Sequence, residues 1–206
     1  MKIFVVGTLW IAWCAMHSIL INAFVVGFVK ARIPGLVRYY RLLYNGLSLA
    51  TFLPLVDFTH RQSGEAMFVW QGWGVPVRIL FLAGAILLFW LGSKRYNLRA
   101  FLGIKQLRDG KTHVLLGTTQ DFSPTGVFNL TRHPWYLGSL LMLWTILGEY
   151  PRPIFVAVAI LSLYLVVGTL LEERKILWEY GDTYRRYQEQ VSMLFPWKWL
   201  KDRLKF

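Results

Sequence analysis

Long apolar stretches alternate with short polar clusters along most of the chain. Five of these stretches come close to the roughly 20 residues that a helix needs to cross a bilayer. They lie near residues 3–29, 39–57, 75–92, 134–149 and 153–171. A tight break at Tyr150-Pro151-Arg152-Pro153 predicts that the last two form a helical hairpin. The pattern predicts an all-α integral membrane protein with about five transmembrane helices in a single membrane domain, residues 1–206.

The composition agrees with a membrane setting and limits the kinds of partner that we expect. Hydrophobic residues make up 55% of the chain, although its formal net charge is +12. Such a basic chain could bind nucleic acid or the anionic inner leaflet, and the apolar stretches favour membrane lipid over nucleic acid. The single cysteine, Cys14, excludes a disulfide framework.

Basic residues are distributed unevenly between the two ends of the predicted helices. The segments after the first, third and fifth apolar stretches, together with Arg41 at the start of the second stretch, hold 19 of the 23 lysines and arginines. By the positive-inside rule, we expect the N-terminus outside and the C-terminus in the cytoplasm, in a membrane such as the bacterial inner membrane. The first stretch is longer than a typical signal-peptide core and lacks a clear small-residue cleavage site, so we expect it to be retained.

A polar cluster, Thr131 to Tyr136, precedes the fourth apolar stretch on the predicted cytoplasmic side. Pro134 suits the first turn of a helix, which places His133 near the N-cap and Arg132 just before it. Free backbone N–H groups, the helix dipole and Arg132 together suit an anion. An interfacial belt, with Arg132 on lipid phosphate and the aromatic rings at headgroup depth, is the alternative.

A second polar cluster, Glu172-Glu173-Arg174, follows the fifth apolar stretch on the same predicted side. Anionic lipid would repel carboxylates at this level. Either they belong to a solvated helix end, or one of them faces inward and meets Arg132 or a cationic ligand.

Apolar and aromatic residues continue at helical spacing beyond this second cluster. Gly181 is predicted to end the fifth helix, and Asp182 to begin a short amphipathic helix that ends before Pro196. This helix is expected to lie along the membrane surface, with Tyr184 and Tyr187 on one face.

These motifs, taken in order, resemble the isoprenylcysteine carboxyl methyltransferase and phospholipid methyltransferase superfamily. The series runs from Gly126 through Arg132-His133-Pro134-x-Tyr136 and Glu172-Glu173 to Tyr180-Gly181-x-x-Tyr184-x-x-Tyr187. The resemblance covers about residues 93–197 and implies an S-adenosylmethionine pocket at the cytoplasmic interface. The residues implied to bind the cofactor are Arg132, His133, Pro134, Tyr136, Glu172, Glu173 and Tyr184.

The N-terminal half carries looser motifs. His17-Ser18, Arg38-Tyr39-Tyr40-Arg41-Leu42-x-Tyr44-Asn45 and Phe101-Leu102-Gly103-Ile104-x-Gln106 resemble the bacterial branch that contains methanethiol S-methyltransferases and NnrU-like proteins. The resemblance implies that residues 1–92 form a three-helix bundle on the acceptor side, and that the acceptor is a small or lipophilic thiol. Arg41, Asn45 and Gln106 are the candidate catalytic residues.

Other functions are compatible with the same motifs. The superfamily resemblance also admits methylation of a prenylcysteine carboxylate or a phospholipid amine, and a non-catalytic membrane protein is a further alternative. His17 lies within the first apolar stretch and is either a hydrogen-bonded structural histidine or, as the NnrU-like resemblance allows, the haem ligand of a haem-binding isomerase. His60 and His113 are predicted in loops without metal-ligand spacing, so no metal site is expected.

Overall fold

The computed structural model describes residues 2–62, 64–109 and 125–204. Within them the chain is predominantly helical, with one short two-stranded sheet. The helices and strands are α1 (Lys2–Ile21), α2 (Ala23–Arg32), α3 (Val37–Arg61), β1 (Ala66–Val69), α4 (Gly74–Ser93), α5 (Leu98–Leu102), α6 (Ile104–Asp109), α7 (Pro134–Thr145), β2 (Glu149–Pro151), α8 (Arg152–Tyr180), α9 (Asp182–Gln190) and α10 (Trp197–Arg203). Short 3₁₀ turns lie at Pro34–Leu36 and Gly126–Asn129.

Four helices in the described part of the chain are long and apolar enough to cross a membrane. They are α1, α3 with the 3₁₀ turn before it, α4 and α8. These coincide with four of the five predicted stretches, so the prediction of a helical membrane protein is confirmed. The stretch at residues 134–149 forms α7, which has 12 residues. A helix of that length rises only about 18 Å, against a hydrocarbon core of about 30 Å.

The first predicted stretch is two helices rather than one. Asn22 stands between α1 and α2 with an extended backbone, and its side-chain oxygen accepts a hydrogen bond from the Phe24 N–H at 2.8 Å. An asparagine in this conformation satisfies a free donor at the start of a helix, which favours a new helix over continuation of the old one.

The predicted break at residues 150–153 contains a strand that the apolar pattern does not show. β2 pairs with β1. The backbone N–H of Trp70 donates to the Gly148 carbonyl at 2.9 Å, and the N–H of Arg152 donates to the Glu65 carbonyl at 3.0 Å. Backbone groups that leave a helix need partners elsewhere, and this small ladder supplies them.

The described residues form two compact units. The first unit comprises those in Met1–Met67, Tyr96–Thr118 and Tyr150–Leu161. Its core gathers Val6, Trp10, Leu55 and Ala157 from three helices. The buried indole of Trp10 donates to the Thr59 hydroxyl at 3.0 Å, which satisfies a polar group inside this core.

The second unit comprises the described residues in Phe68–Arg95, Thr119–Glu149 and Ser162–Phe206. Here α4 packs along α7 through two glycines. A Cβ atom on Gly92 would lie 2.6 Å from the Trp135 ring, and one on Gly138 would lie 3.3 Å from the Ala85 carbonyl oxygen. Small residues at such positions let two apolar helices approach closely.

The C-terminal part of the second unit contains the predicted short amphipathic helix, α9. Gly181, at φ +53°, separates α8 from α9 and stands at the N-cap of α9, so Asp182 is the first helical residue rather than the cap. Tyr184 and Tyr187 are buried on one face of α9 and pack with Val191. His60, predicted in a loop, lies in the last turn of α3, and His113 lies outside the described residues.

Candidate active site

The carboxylate of Glu173 in α8 is the centre of a buried polar cluster in the second unit. Arg132 donates to it with Nε at 3.0 Å and Nη2 at 2.6 Å. His133 Nε2 lies 2.6 Å from Oε1, and the Tyr184 hydroxyl and the Gln188 side-chain amide also donate to the carboxylate. Glu173 is only 6% exposed, so its charge is offset by Arg132 and its two oxygens are fully hydrogen-bonded.

Backbone contacts hold Arg132 in this position. The third guanidinium nitrogen, Nη1, donates to the Val191 carbonyl, and the backbone N–H of Arg132 donates to the Ser192 carbonyl at 3.0 Å. The adjacent Thr131 hydroxyl donates to the Met193 carbonyl at 2.8 Å. The segment before α7 is therefore held against the segment after α9 by several hydrogen bonds.

Two tyrosines of α9 complete the cluster as hydrogen-bond donors. Burial and the hydrogen bond to the Glu173 carboxylate raise the pKa of the Tyr184 phenol above its usual range. Burial also raises the pKa of Tyr187, whose hydroxyl donates to the Phe128 carbonyl at 2.7 Å. Both phenols stay protonated at neutral pH, so neither acts there as a base.

Glu172, one residue before Glu173, has a different environment. Its side chain is half-buried, and it has no hydrogen bond or ion pair among the residues that the structure describes. Gly168 lies four residues earlier on the same helical face, and a Cβ atom there would be 3.6 Å from the Tyr136 ring. Glu172 therefore shares a face of α8 with an aromatic side chain from the first turn of α7.

The start of α7 lies beside this face. Pro134 is the first residue of α7, and His133, at the N-cap, makes no side-chain cap hydrogen bond. The His133 ring meets the Tyr136 ring edge-on at 5.6 Å between centroids. The positive end of the α7 dipole and Tyr136 lie at the start of α7, and Glu172 lies on the face of α8 that packs against Tyr136 at Gly168. Such groups suit a ligand with both an anionic and a cationic group.

The candidate catalytic residues of the first unit surround one loop. Arg41 Nε donates to the Phe101 carbonyl at 3.2 Å, and the Asn45 side-chain amide donates to the same oxygen at 2.9 Å. The Gln106 side-chain amide donates to the carbonyl of Ala100, the residue before Phe101, at 2.9 Å. The structure therefore brings Arg41, Asn45 and Gln106 together on the end of α5.

His17 belongs to a polar cluster within the helices of the first unit. Its Nε2 lies 2.6 Å from the Tyr44 hydroxyl, and its Nδ1 lies 3.1 Å from the Ser48 hydroxyl. The Trp13 ring stacks on the imidazole at 4.9 Å between centroids. Both ring nitrogens thus have protein partners, and a haem iron would have to displace one of them. Within residues 2–62, 64–109 and 125–204, no group of three or more His, Cys, Asp or Glu side chains is arranged to hold a metal ion.

Sequence reasoning did not identify Gln188 or Tyr44 as members of these clusters. Gln188 lies four residues after Tyr184 in α9, so helical spacing could have placed it beside a predicted site residue. Tyr44 belongs to the motif that runs from Arg38 to Asn45, but only the packing of α1 on α3 shows that it contacts His17.

The chain is similar to several curated proteins named methanethiol S-methyltransferase. It is 35% identical over 86 residues to methanethiol S-methyltransferase 1 of Bradyrhizobium diazoefficiens, a match covering 39% of this chain and 28% of that protein. The Pseudomonas deceptionensis protein is 29% identical over 62% of this chain and 43% of its own length. The Mycobacterium tuberculosis protein is 30% identical over 53% of this chain and 47% of its own length. These relatives confirm the resemblance predicted from the motifs.

A more distant relative has a different name. The 15-cis-zeta-carotene isomerase of Zea mays is 24% identical over 76% of this chain and 41% of its own length. The matched segments thus span less than half the length of each of these relatives. No family model matches the chain, and no solved structure matches it.

Proposed function

We propose that this protein is an integral-membrane methyltransferase that uses S-adenosylmethionine and methylates a small thiol such as methanethiol. The names of the relatives support methyl transfer and a thiol acceptor. Within the structure, the observation that carries the proposal is the half-buried carboxylate of Glu172. It lies four residues after Gly168, which packs against Tyr136, and it has no hydrogen bond or ion pair among the described residues.

The residues of the second unit fit this cofactor. S-adenosylmethionine carries a carboxylate, an ammonium and a sulfonium group. The start of α7 suits the carboxylate, and Glu172 with the Tyr136 ring suits the cationic groups. Glu173 is already saturated by protein donors, so its proposed role is to orient Arg132 and His133 rather than to touch the ligand.

The cofactor would supply a methyl group on a cationic sulfur: the acceptor sulfur would bond to the methyl carbon while the carbon–sulfur bond of the sulfonium breaks and a neutral thioether leaves. The protein contributes alignment and exclusion of water. Charge is neutralised when a thiolate meets a sulfonium, so a site poor in water favours the reaction. Glu173 and His133 are buried, so we expect their cluster to exclude water from one side of the proposed pocket.

The proposed setting of the site is the cytoplasmic interface of a bacterial inner membrane, with five spanning segments if α7 completes the fifth. The proposed acceptor is a thiol. A prenylcysteine carboxylate or a phospholipid amine would be methylated by the same donor site, so the acceptor requires a test of its own.

Cofactor binding is tested by thermal unfolding of the detergent-solubilised protein with and without S-adenosylhomocysteine. A ligand at about 100 times its Kd stabilises the folded state by about 2.7 kcal/mol, which raises the Tm by several degrees. We expect Glu172→Gln to abolish the rise. Glu179→Gln, a matched change at an exposed position of α8, should leave it intact. An unchanged wild-type Tm at saturating ligand would contradict the proposed cofactor.

The acceptor is tested by transfer of a labelled methyl group to a panel of methanethiol, sulfide, a prenylcysteine and phosphatidylethanolamine. We expect label in the methyl sulfide formed from methanethiol. Label found only in phosphatidylethanolamine would replace the thiol by a lipid amine and leave the cofactor assignment in place.

A further inference from the structure

Arg41 is a cation without an acidic partner in the described part of the first unit. The acidic side chains described there, Asp57 and Glu65, pair with Arg61 at 2.7 Å and Arg152 at 3.1 Å. Arg41 is half-buried in a candidate membrane span, and only its Nε makes a hydrogen bond to the described residues. Its guanidinium carbon lies 5.5 Å from the centroid of the Tyr44 ring and 5.7 Å from that of the Phe101 ring, so its other described contacts are with aromatic faces rather than with an anion. An intramembrane guanidinium is costly without a counter-charge, which favours a bound anion at this position.

Gln106 lacks a hydrogen-bond donor, whereas Arg41 lacks an anion. It is 3% exposed, and its side-chain oxygen Oε1 is a buried acceptor with no hydrogen-bond partner among the described residues. The amide orientation is set, because Nε2 donates to the Ala100 carbonyl. A buried acceptor without a donor is destabilising by about 1–3 kcal/mol, so this position favours a ligand that brings an X–H group.

The fold holds these two groups next to each other. Gln106 is bound to the carbonyl of Ala100 and Arg41 to that of Phe101, which are consecutive. Gly103, at φ +91°, lets the loop lie directly on α3, because a Cβ atom there would be 2.7 Å from the Leu42 nitrogen. Residues other than glycine rarely adopt this backbone conformation, so the close approach depends on Gly103.

We propose that Arg41 and Gln106 form a binding site in the first unit for the small thiol that the enzyme methylates. The ligand must be a donor in one form, to satisfy Gln106, and an anion in another, to satisfy Arg41. A thiol is a hydrogen-bond donor while it is protonated and an anion once it is ionised, and a nearby arginine lowers its pKa. On ionisation the S–H bond breaks, the electron pair stays on sulfur beside Arg41, and the proton leaves to water.

A lipid headgroup is the rival occupant of the Arg41 position. A phosphodiester would satisfy the guanidinium, but it has no hydrogen to donate to Gln106. Gln106 is also buried within the unit rather than at an exposed edge. A ligand that can donate a hydrogen to Gln106 and can also carry a negative charge beside Arg41 is therefore favoured, and a small thiol is such a ligand. The proposal rests on the proposed function for the identity of the acceptor.

The experiment uses carbon-13-labelled methanethiol and the whole detergent-solubilised protein without cofactor. The methyl carbon shift, followed by NMR across a pH series, reports both binding and the thiol-to-thiolate midpoint. We expect the midpoint of the bound thiol to fall by about one pH unit or more below that of free methanethiol, because Arg41 stabilises the thiolate. An unshifted midpoint in the wild-type protein overturns the proposal without any variant.

Variants separate the two roles. Arg41→Gln should weaken binding about tenfold above the midpoint and little below it, whereas Gln106→Leu should weaken binding mainly below it. Arg38→Gln, at an exposed position one turn earlier in α3, should change neither. Equal effects of Arg41→Gln and Arg38→Gln contradict the proposal.

Two further measurements keep the outcomes distinct. A Tm rise with S-adenosylhomocysteine shows that a variant is folded, and its absence in the wild-type protein counts against the proposed function rather than against the thiol site. Phosphatidylglycerol is added in parallel. Stabilisation by this lipid that depends on Arg41, with no binding of methanethiol, identifies a lipid phosphate as the occupant and overturns the thiol site.

Discussion

At the scale of single residues, Glu172 and Glu173 show how strongly a side chain's role depends on its direction. Successive residues on a helix point about 100° apart, so the Glu173 carboxylate lies in the buried cluster while Glu172 lies on another face of α8, four residues after Gly168. Glu173 receives hydrogen bonds from Arg132, His133, Tyr184 and Gln188, whereas Glu172 has none from the described residues. The pair therefore divides into a structural member and a proposed ligand-binding member.

Removing the charge of Glu173 should destabilise the folded protein. Glu173→Gln leaves Arg132 as a buried cation without its counter-charge, and breaking such a pair costs about 3–5 kcal/mol. The measurement is chemical or thermal unfolding in detergent, compared with Glu172→Gln, which should cost less than about 1 kcal/mol. Equal losses in the two variants would show that Glu172 has a structural role too.

At the scale of elements, the pairing of α4 with α7 depends on small residues. Gly92 lies against the Trp135 ring, and the Trp135 indole donates to the Phe89 carbonyl of α4 at 3.2 Å. This contact positions the first turn of α7, which contributes Pro134 and Tyr136 to the proposed cofactor site. The spacing of two helices thus sets the position of residues proposed to bind the ligand.

A methyl group at Gly92 should disturb this contact. The new Cβ would lie 2.6 Å from the Trp135 ring, so the ring or the helix must shift, and overpacking of this kind costs about 1–3 kcal/mol. Gly84→Ala is the matched control in α4, where a Cβ meets nothing within 4 Å. We expect Gly92→Ala to lower the Tm and to weaken binding of S-adenosylhomocysteine, and Gly84→Ala to do neither. If Gly92→Ala changed neither the Tm nor ligand binding, α4 and α7 could move apart without loss of stability or binding.

At the scale of the whole molecule, hydropathy indicates a membrane location and the distribution of charge predicts the orientation. The four membrane-length helices expose large apolar side chains, among them Leu80 at 68% and Leu163 at 66%. Lipid would cover such surfaces, whereas water would not favour them. The basic residues concentrate on the segments that the positive-inside rule places in the cytoplasm.

This orientation can be measured with single cysteines. Cys14→Ala removes the only cysteine in the sequence, so an introduced one reports its own side of the membrane. In intact bacterial spheroplasts, we expect an impermeant maleimide to label Gln71→Cys and to spare Asp202→Cys until the membrane is opened; both positions are exposed in the structure. The reverse pattern would invert the topology and place the proposed cofactor site outside the cytoplasm.

The sequence alone determined those features that depend on local pattern. Hydropathy along the chain predicted the segments of α1, α3, α4 and α8, because burial in lipid requires a long apolar run whatever its neighbours are. The motif around Pro134 predicted the start of α7, because proline suits the first turn of a helix. The break at Asn22 and strand β2 were missed, since local hydrogen bonds and strand pairing override hydropathy there.

Only the tertiary structure decided which polar side chains meet. Glu173 pairs with Arg132 across 41 positions of sequence, and Arg41 binds the Phe101 carbonyl across 60. Such contacts follow from how helices pack, and a sequence pattern contains the residue types without the distances between them. The physical reason is that apolar periodicity is a property of one segment, whereas satisfaction of a buried charge is a property of several segments brought together.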